Sequence, residues 1–174
     1  MVDKCICCGA VIPEGGWVCQ NCLVATNDPA KVKKNPTIKV VLDEGAKMPT
    51  KAHEWDAGFD LYSREDGVIY QNGSARFNTG VHIDIPKGVC GLLVSKSGLD
   101  HNNNIQSTGL IDSDYVGTIW VKLYNHGSKA VTIKKGQKIS QLVLLPIITP
   151  ELEVVDSLEE TERGSGGFGS TGKF

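Results

Sequence analysis

The hydrophobic positions of this chain fall into many short runs, and the clearest of them repeat at a period of two. Ile119, Val121 and Leu123 alternate with Trp120, Lys122 and Tyr124, a pattern that predicts a strand with one face inward. Comparable β-rich runs cover Ile38 to Leu42, Phe59 to Tyr62, Gly67 to Tyr70, Ala75 to Val81, Val89 to Val94, Ala130 to Ile133 and Ile139 to Leu145. Gly, Pro, Asn or Asp punctuates them, and these residues supply the turns that end strands. No stretch carries the 3.6 period of an amphipathic helix of ordinary length, and there are no internal repeats. Short, evenly spaced strands over about 140 residues predict an all-β sandwich or barrel, with a jelly roll the natural form.

The pattern also divides the chain. Residues 25–36 are polar and contain Pro29, Lys31, Lys33, Lys34, Asn35 and Pro36, which reads as a linker, so the β domain is expected over 37–162. Ahead of it, five of the six cysteines fall within the first 22 residues. Cys5 with Cys8 and Cys19 with Cys22 form two Cys-x-x-Cys pairs that can offer four thiolates to one tetrahedral Zn²⁺. Val11, Ile12 and Trp17, Val18 flank Pro13-Glu14-Gly15-Gly16, so a hairpin is expected between the pairs. Residues 1–24 therefore resemble a short zinc ribbon. A disulfide pair or redox dithiol is the alternative, disfavoured because no secretion signal precedes the cysteines. Cys7 is a spare thiol able to replace Cys5 or Cys8 as ligand, and Cys90 reads as a small core residue.

Composition adds limits. A chain of 174 residues, 40% hydrophobic and with a formal charge of −2, suits one domain plus a small appendage. That balance gives no general case for nucleic-acid binding, which needs a concentrated cationic face. No run approaches a membrane span, and a cytoplasmic location is expected.

Five blocks along the β domain carry candidate chemistry: Asp56-Ala57-Gly58-Phe59-Asp60-Leu61; Ser95-Lys96-Ser97-Gly98-Leu99; Gly109 to Asn125, with Asp112, Asp114, Tyr115 and Gly117; Lys135 to Leu142; and the glycine-rich tail Glu162 to Gly172. Ser97 and Gly98 follow an apolar strand, where backbone N–H groups can cradle an anion. Asp112 and Asp114 stand beside a strand, where a rigid scaffold can aim a carboxylate. Each block alone is more often a turn, an Asx cap or a solvated end. A plain tail has no need of Arg163 and Phe168.

Taken together, in this order and at these spacings, the blocks resemble the five motifs of the trimeric all-β dUTPase family, over roughly Ile38 to the C-terminus. That resemblance implies hydrolysis of dUTP to dUMP and pyrophosphate by a homotrimer whose sites are each assembled from three chains. It implies Asp112 as the catalytic aspartate that holds and deprotonates water, and Gln141 as an aid to placing water and phosphates. Lys96, Ser97, Gly98, Arg163, Gly169, Ser170 and Thr171 would hold the triphosphate, and Asp60 would hold Mg²⁺ through water. Tyr115 would pack under the deoxyribose, Gln106 and Gly109 would lie in the hairpin that reads uracil, and Phe168 would stack on the base while residues 163–174 close as a flexible lid.

Two departures stand out. Lys96 replaces the arginine usual before the second motif's serine, keeping charge but losing a bidentate fork. Gln137-Lys138 replaces the family's common Asp-Arg. dCTP deaminase shares the fold and much of the motif set, but needs a glutamate in the strand after the third block, and residues 116–127 contain no acid. A regulatory protein that uses its zinc ribbon on an unknown partner, with nucleotide as a switch, is a further alternative.

Overall fold

The computed structural model describes residues 3–4, 11–12 and 37–167. Twelve strands and one helix are assigned among them: β1 (Asp3–Lys4), β2 (Val11–Ile12), β3 (Val40–Leu42), β4 (Gly58–Tyr62), β5 (Gly67–Ile69), β6 (Ser74–Asn78), β7 (Val81–Ile83), β8 (Val89–Ser95), α1 (Ser97–Asn103), β9 (Ile105–Ile111), β10 (Trp120–Asn125), β11 (Val131–Ile133) and β12 (Lys138–Pro146). The main sheet has six strands in the order β4-β12-β8-β9-β10-β6, flanked by the pairs β11-β5 and β3-β7, all antiparallel. Curled upon one core, these sheets make the jelly roll that the alternation predicts.

The core confirms the inward positions. Ile119, Val121 and Leu123 are fully buried, and Leu61, Ile69, Phe77, Ile133, Ile139 and Leu142 pack with them. Burying each such side chain contributes about 1.5–3 kcal/mol. β12 lies between the edge strand β4 and β8, so Gln141 sits in a row that runs Thr108, Val94, Gln141, Asp60 across four strands.

Three local features differ from the sequence reading. The run expected over Ala75 to Val81 breaks at Thr79-Gly80, where the chain leaves the main sheet and β7 pairs with β3 instead. Gly80 has φ +67, and a Cβ there would lie 2.6 Å from that of Ala46, so only glycine fits this corner. Asn78 Oδ1 accepts from the Gly80 N–H at 2.7 Å and completes the turn. Second, Ser97–Asn103 is a helix, too short for a periodic signal and burying only Leu99. Third, strand structure ends at Pro146, and the arm beyond it leaves Leu152, Val154 and Leu158 at 95%, 100% and 86% exposure.

At the N-terminus, Val11–Ile12 pairs with Asp3–Lys4. The proposed zinc ligands Cys5, Cys8, Cys19 and Cys22, the hairpin partners Trp17 and Val18, and the linker 25–36 lie outside the described residues. Phe168, Gly169, Ser170 and Thr171 lie outside them as well. No helix among the described residues is long and apolar enough to cross a membrane.

Candidate active site

Asp60 organises one end of the main sheet. β4 brings it beside Gln141 of β12, and Gly58 permits that approach, since a Cβ there would stand 3.1 Å from the Cβ of Gln141. Its carboxylate is almost wholly buried, at 3% side-chain exposure, and two ammonium groups reach it: Lys96 Nζ at 2.8 Å from Oδ1 and Lys138 Nζ at 2.6 Å from Oδ2. Gln141 Nε2 donates to Oδ1 at 3.4 Å. Burial pulls the Asp60 carboxyl upward, but the bonds and charges of Lys138 and Lys96 together outweigh it and hold it below the usual carboxylate range. Asp60 in turn raises Lys138. One carboxylate between two lysines leaves a net positive charge, so this cluster attracts anions.

Lys96 is also the residue before α1, with an extended backbone (φ −74, ψ 118) that lets the helix start at Ser97. Ser97 and Gly98 are exposed, and nothing lies within 4 Å of where a Cβ on Gly98 would stand. An approaching phosphate therefore meets backbone rather than side chain. The structure thus brings Asp60, Lys96, Ser97, Gly98 and Gln141 to one end of the sheet. It adds Lys138, which in the sequence stands out only as a departure from the family's common dipeptide.

Asp112 and Tyr115 lie elsewhere. β9 presents Gln106, Thr108 and Leu110 outward, alternating with buried Ile105, Ser107 and Ile111, and Asp112 continues the outward series. Gly109 points inward, where a Cβ would stand 3.1 Å from Leu93 Cδ1. Gln106 is at the Lys96 end, reaching Asp100 Oδ1 at 3.4 Å, whereas Asp112 is six strand steps away, about 20 Å. Residues 112–118 form a tight turn. The Tyr115 N–H donates to the Asp112 carbonyl at 3.2 Å, and the Tyr115 hydroxyl donates to the Thr118 carbonyl at 2.8 Å. The phenol ring so lies over Gly117, where a Cβ would stand 2.6–3.0 Å from it. Asp112 and Asp114 are both exposed.

Arg163 is exposed too, its Nε donating to the Gly166 carbonyl at 3.0 Å within a local turn. Among the described residues, no group of three or more His, Cys, Asp or Glu is placed to hold a metal ion. A groove of about 300 Å³ lined by Lys39, Val41, His82, Ile83, Asp84 and Val116 adjoins the 112–118 turn at Val116 and lies along the separate β3-β7 pair.

Comparison with known proteins follows the same residues. The dUTPase family model matches residues 44–172, well over half of the chain. The deoxyuridine 5'-triphosphate nucleotidohydrolase of Clostridium tetani is 43% identical over 141 residues, 79% of this chain and 97% of that one. The rat (Rattus norvegicus) protein of the same name is 39% identical over 161 residues, 91% of this chain and 78% of that one. Among solved structures, the Staphylococcus bacteriophage 80alpha dUTPase with dUpNHpp superposes with a TM-score of 0.73 at 34% identity, covering 78% of this chain and 98% of that one. The dUTPase from phage phi11 of S. aureus, described with a structural Mg(II) ion, gives 0.67 at 31% identity over 72% of this chain and 100% of that one. With motif order, fold and family match in agreement, this chain belongs to the dUTPase family.

Proposed function

We propose that the protein hydrolyses dUTP to dUMP and pyrophosphate, in sites that form only between chains. The observation that carries the second half is the separation of Asp112 from Lys96. Both must reach the α-phosphate, one through an attacking water and the other through charge. Yet about 20 Å of strand divides their backbones, and Lys96 points away across the sheet toward Asp60. A lysine, a phosphate, a water and an aspartate span that distance, roughly 20 Å, only when both side chains extend fully toward each other, and Lys96 is instead held on Asp60. One chain therefore supplies the phosphate end of a site and a second chain supplies the Asp112–Tyr115 turn. The exposed apolar side chains of the arm, Leu152, Val154 and Leu158, suit burial against a neighbouring chain. Such an arm would carry Arg163 and Phe168 to a third position, which supports a homotrimer.

Within such a site, Lys96, with Lys138 beside it, draws the triphosphate, and the Ser97 and Gly98 amides orient it. Asp112 takes the proton of the attacking water and accepts from the sugar 3′-hydroxyl. General-base catalysis by a side chain accounts for a factor of about 10²–10⁴, and alignment and charge neutralisation must supply the rest. Tyr115 is held flat over Gly117 and offers a face to the deoxyribose, leaving no room for a 2′-hydroxyl. Gln141 steadies the phosphates, the outward face of β9 receives uracil, and Arg163, Phe168, Gly169, Ser170 and Thr171 cover the bound nucleotide.

Magnesium fits this arrangement when carried on the triphosphate. Of the four lone-pair positions on Asp60, Lys96, Gln141 and Lys138 fill three, which leaves one for a metal-bound water and does not suit direct coordination. Bound there, the ion would neutralise phosphate charge. For the N-terminal segment, pairing of Asp3–Lys4 with Val11–Ile12 puts the Cys5-x-x-Cys8 pair, by sequence, in the connection between two paired strands. This supports a zinc module of four thiolates, Cys5, Cys8, Cys19 and Cys22, and one zinc per chain by metal analysis tests it. The hydrolase reading is tested by pyrophosphate release from dUTP with UTP and dCTP as controls. Ammonia from dCTP in place of pyrophosphate would favour deamination.

A further inference from the structure

The 112–118 turn is fastened to the rest of the protein at one place. Among the described residues, every hydrogen bond that leaves the turn runs to His82 or Asp43. His82, in the middle of β7, places Nδ1 2.9 Å from the Val116 carbonyl oxygen, and Nε2 2.8 Å from Thr118 Oγ1 and 3.1 Å from Asp43 Oδ1. Thr118 Oγ1 lies 3.2 Å from Asp43 Oδ2, which also receives Arg64 Nη1 at 2.9 Å.

The doubly protonated ring is the state that makes every one of these contacts attractive. A carbonyl oxygen only accepts, so Nδ1 carries a proton; a carboxylate only accepts, so Nε2 carries one as well. The Thr118 hydroxyl then accepts from Nε2 and donates to Asp43, and every group is satisfied. Remove either ring proton and a bond is lost. Without the one on Nδ1, Val116 has no donor; without the one on Nε2, the Thr118 hydroxyl turns from Asp43 to donate to the ring and a ring lone pair faces the Asp43 carboxylate, so both bonds to Asp43 are lost.

We propose that His82 is a positioning residue whose imidazolium form clamps Val116 and Thr118, and through them the turn bearing Asp112 and Tyr115. Loss of the ring proton cuts the clamp's bonds to Asp43 and so loosens its hold on the turn. The functional half of this inference rests on the proposed roles of Asp112 and Tyr115, while the mechanical half stands on the bonds alone. The charges around the ring agree: Asp43 and Arg64 form an ion pair on its Nε2 side, and Lys39 and Asp84, which line the same groove, are 3.6 Å apart and offset each other. The Val116 carbonyl, then Asp43, raise His82 above its ordinary value, while the His82 bond holds Asp43 below its own. By sign, the clamp is complete below about pH 6.5 and is lost as pH rises through the raised value of His82.

The experiment is hydrogen exchange of the 112–118 backbone in the full-length protein without nucleotide, corrected for intrinsic rate, across pH, beside an NMR titration of His82. Protection should fall about tenfold as His82 deprotonates, the size expected for a lost charged hydrogen bond. In His82→Gln, protection should be low with no step, and kcat/KM for dUTP should fall about tenfold near pH 6 but be close to wild type near pH 9, with kcat and KM both affected. Asp43→Asn, which keeps the ring, should lower the His82 midpoint. Protection that stays flat while His82 titrates, or an equal loss in His82→Gln at both pH values, would overturn the proposal. Because exchange needs no turnover, failure to hydrolyse dUTP would sink the functional reading and leave the clamp to be judged on its own.

Discussion

The two ends of β9 are built on different principles. At the Lys96 end the key carboxylate is buried, bound by two lysines and a glutamine, and fixed by β12 on one side and a backbone bridge from Thr50 on the other. At the Asp112 end the carboxylates are exposed, and the turn that carries them depends on a glycine, a tyrosine hydroxyl and one histidine. The phosphates are strongly anionic before, during and after reaction, so a rigid cationic cluster serves throughout. The proposed base Asp112 and sugar platform Tyr115 would instead have to admit substrate, exclude water and let product go, which suits a turn held by few bonds. On that proposal, electrostatic preorganisation sits on a buried carboxylate and adjustable geometry in an exposed turn.

The largest separation of the two ends should come from Asp112→Asn. Volume is kept and the base is lost, so turnover should fall by about two orders of magnitude or more while dUTP still binds, as measured by single-turnover kinetics and calorimetry. Unchanged turnover would move the base elsewhere. Asp60→Asn should act on stability as well as on the phosphate end of the site, because it leaves two ammonium groups without their carboxylate. Lys96 and Lys138 keep partial access to water, so the loss is set at about 2–3 kcal/mol, below that for a fully buried pair, and denaturant unfolding measures it. The pH dependence follows from the sign of the shift. Asp60 is held below its ordinary value, so its contribution is present above about pH 4 and disappears as pH falls through the lower folded value; Asp60→Asn should flatten that acid limb.

A chain ending at Glu162 should keep the melting temperature, since strand structure stops at Pro146, but lose about tenfold or more in turnover once Arg163 and Phe168 are gone. Full activity after truncation would make the tail a bystander. The smallest effect is expected from Gly117→Ala. The added methyl would meet the Tyr115 ring at under 3 Å and tilt it, so kcat/KM should fall several-fold and dUTP should be favoured less over UTP, by about 1 kcal/mol. An unaltered dUTP to UTP ratio would reject the platform role of Tyr115.

How much of this was legible in the sequence depended on the range of the interaction. Inward positions such as Ile119, Val121 and Leu123 were readable because a strand's period is local. The corner at Gly80 was readable in principle from Asn78-Thr79-Gly80, but the flanking β-rich residues masked it. α1 was too short for any period to show. The site blocks were visible as motifs, yet nothing local could say that Asp60 meets Lys138, 78 positions later, or that His82 of β7 would reach Val116, because strand order across the sheet decides both. Nor could motif spacing show that Asp112 and Lys96 diverge along β9, since sequence neighbours at opposite strand ends are far apart in space.

The central claim is that a working site joins the Lys96 end of one chain to the Asp112 end of another, and subunit mixing tests it most directly. Asp112→Asn protein and Lys96→Ala protein, each nearly inactive alone, are denatured together, refolded as a mixture and assayed for pyrophosphate release from dUTP. Mixed assemblies contain some sites whose Lys96 and Asp112 both come from unaltered positions, so activity should reappear at about a quarter of the wild-type level, the product of two one-half chances when each site draws its two ends from two chains independently. No recovery beyond the sum of the separately refolded variants, with mixing confirmed by mass spectrometry of the intact assemblies, would contradict the account and place the whole site within one chain.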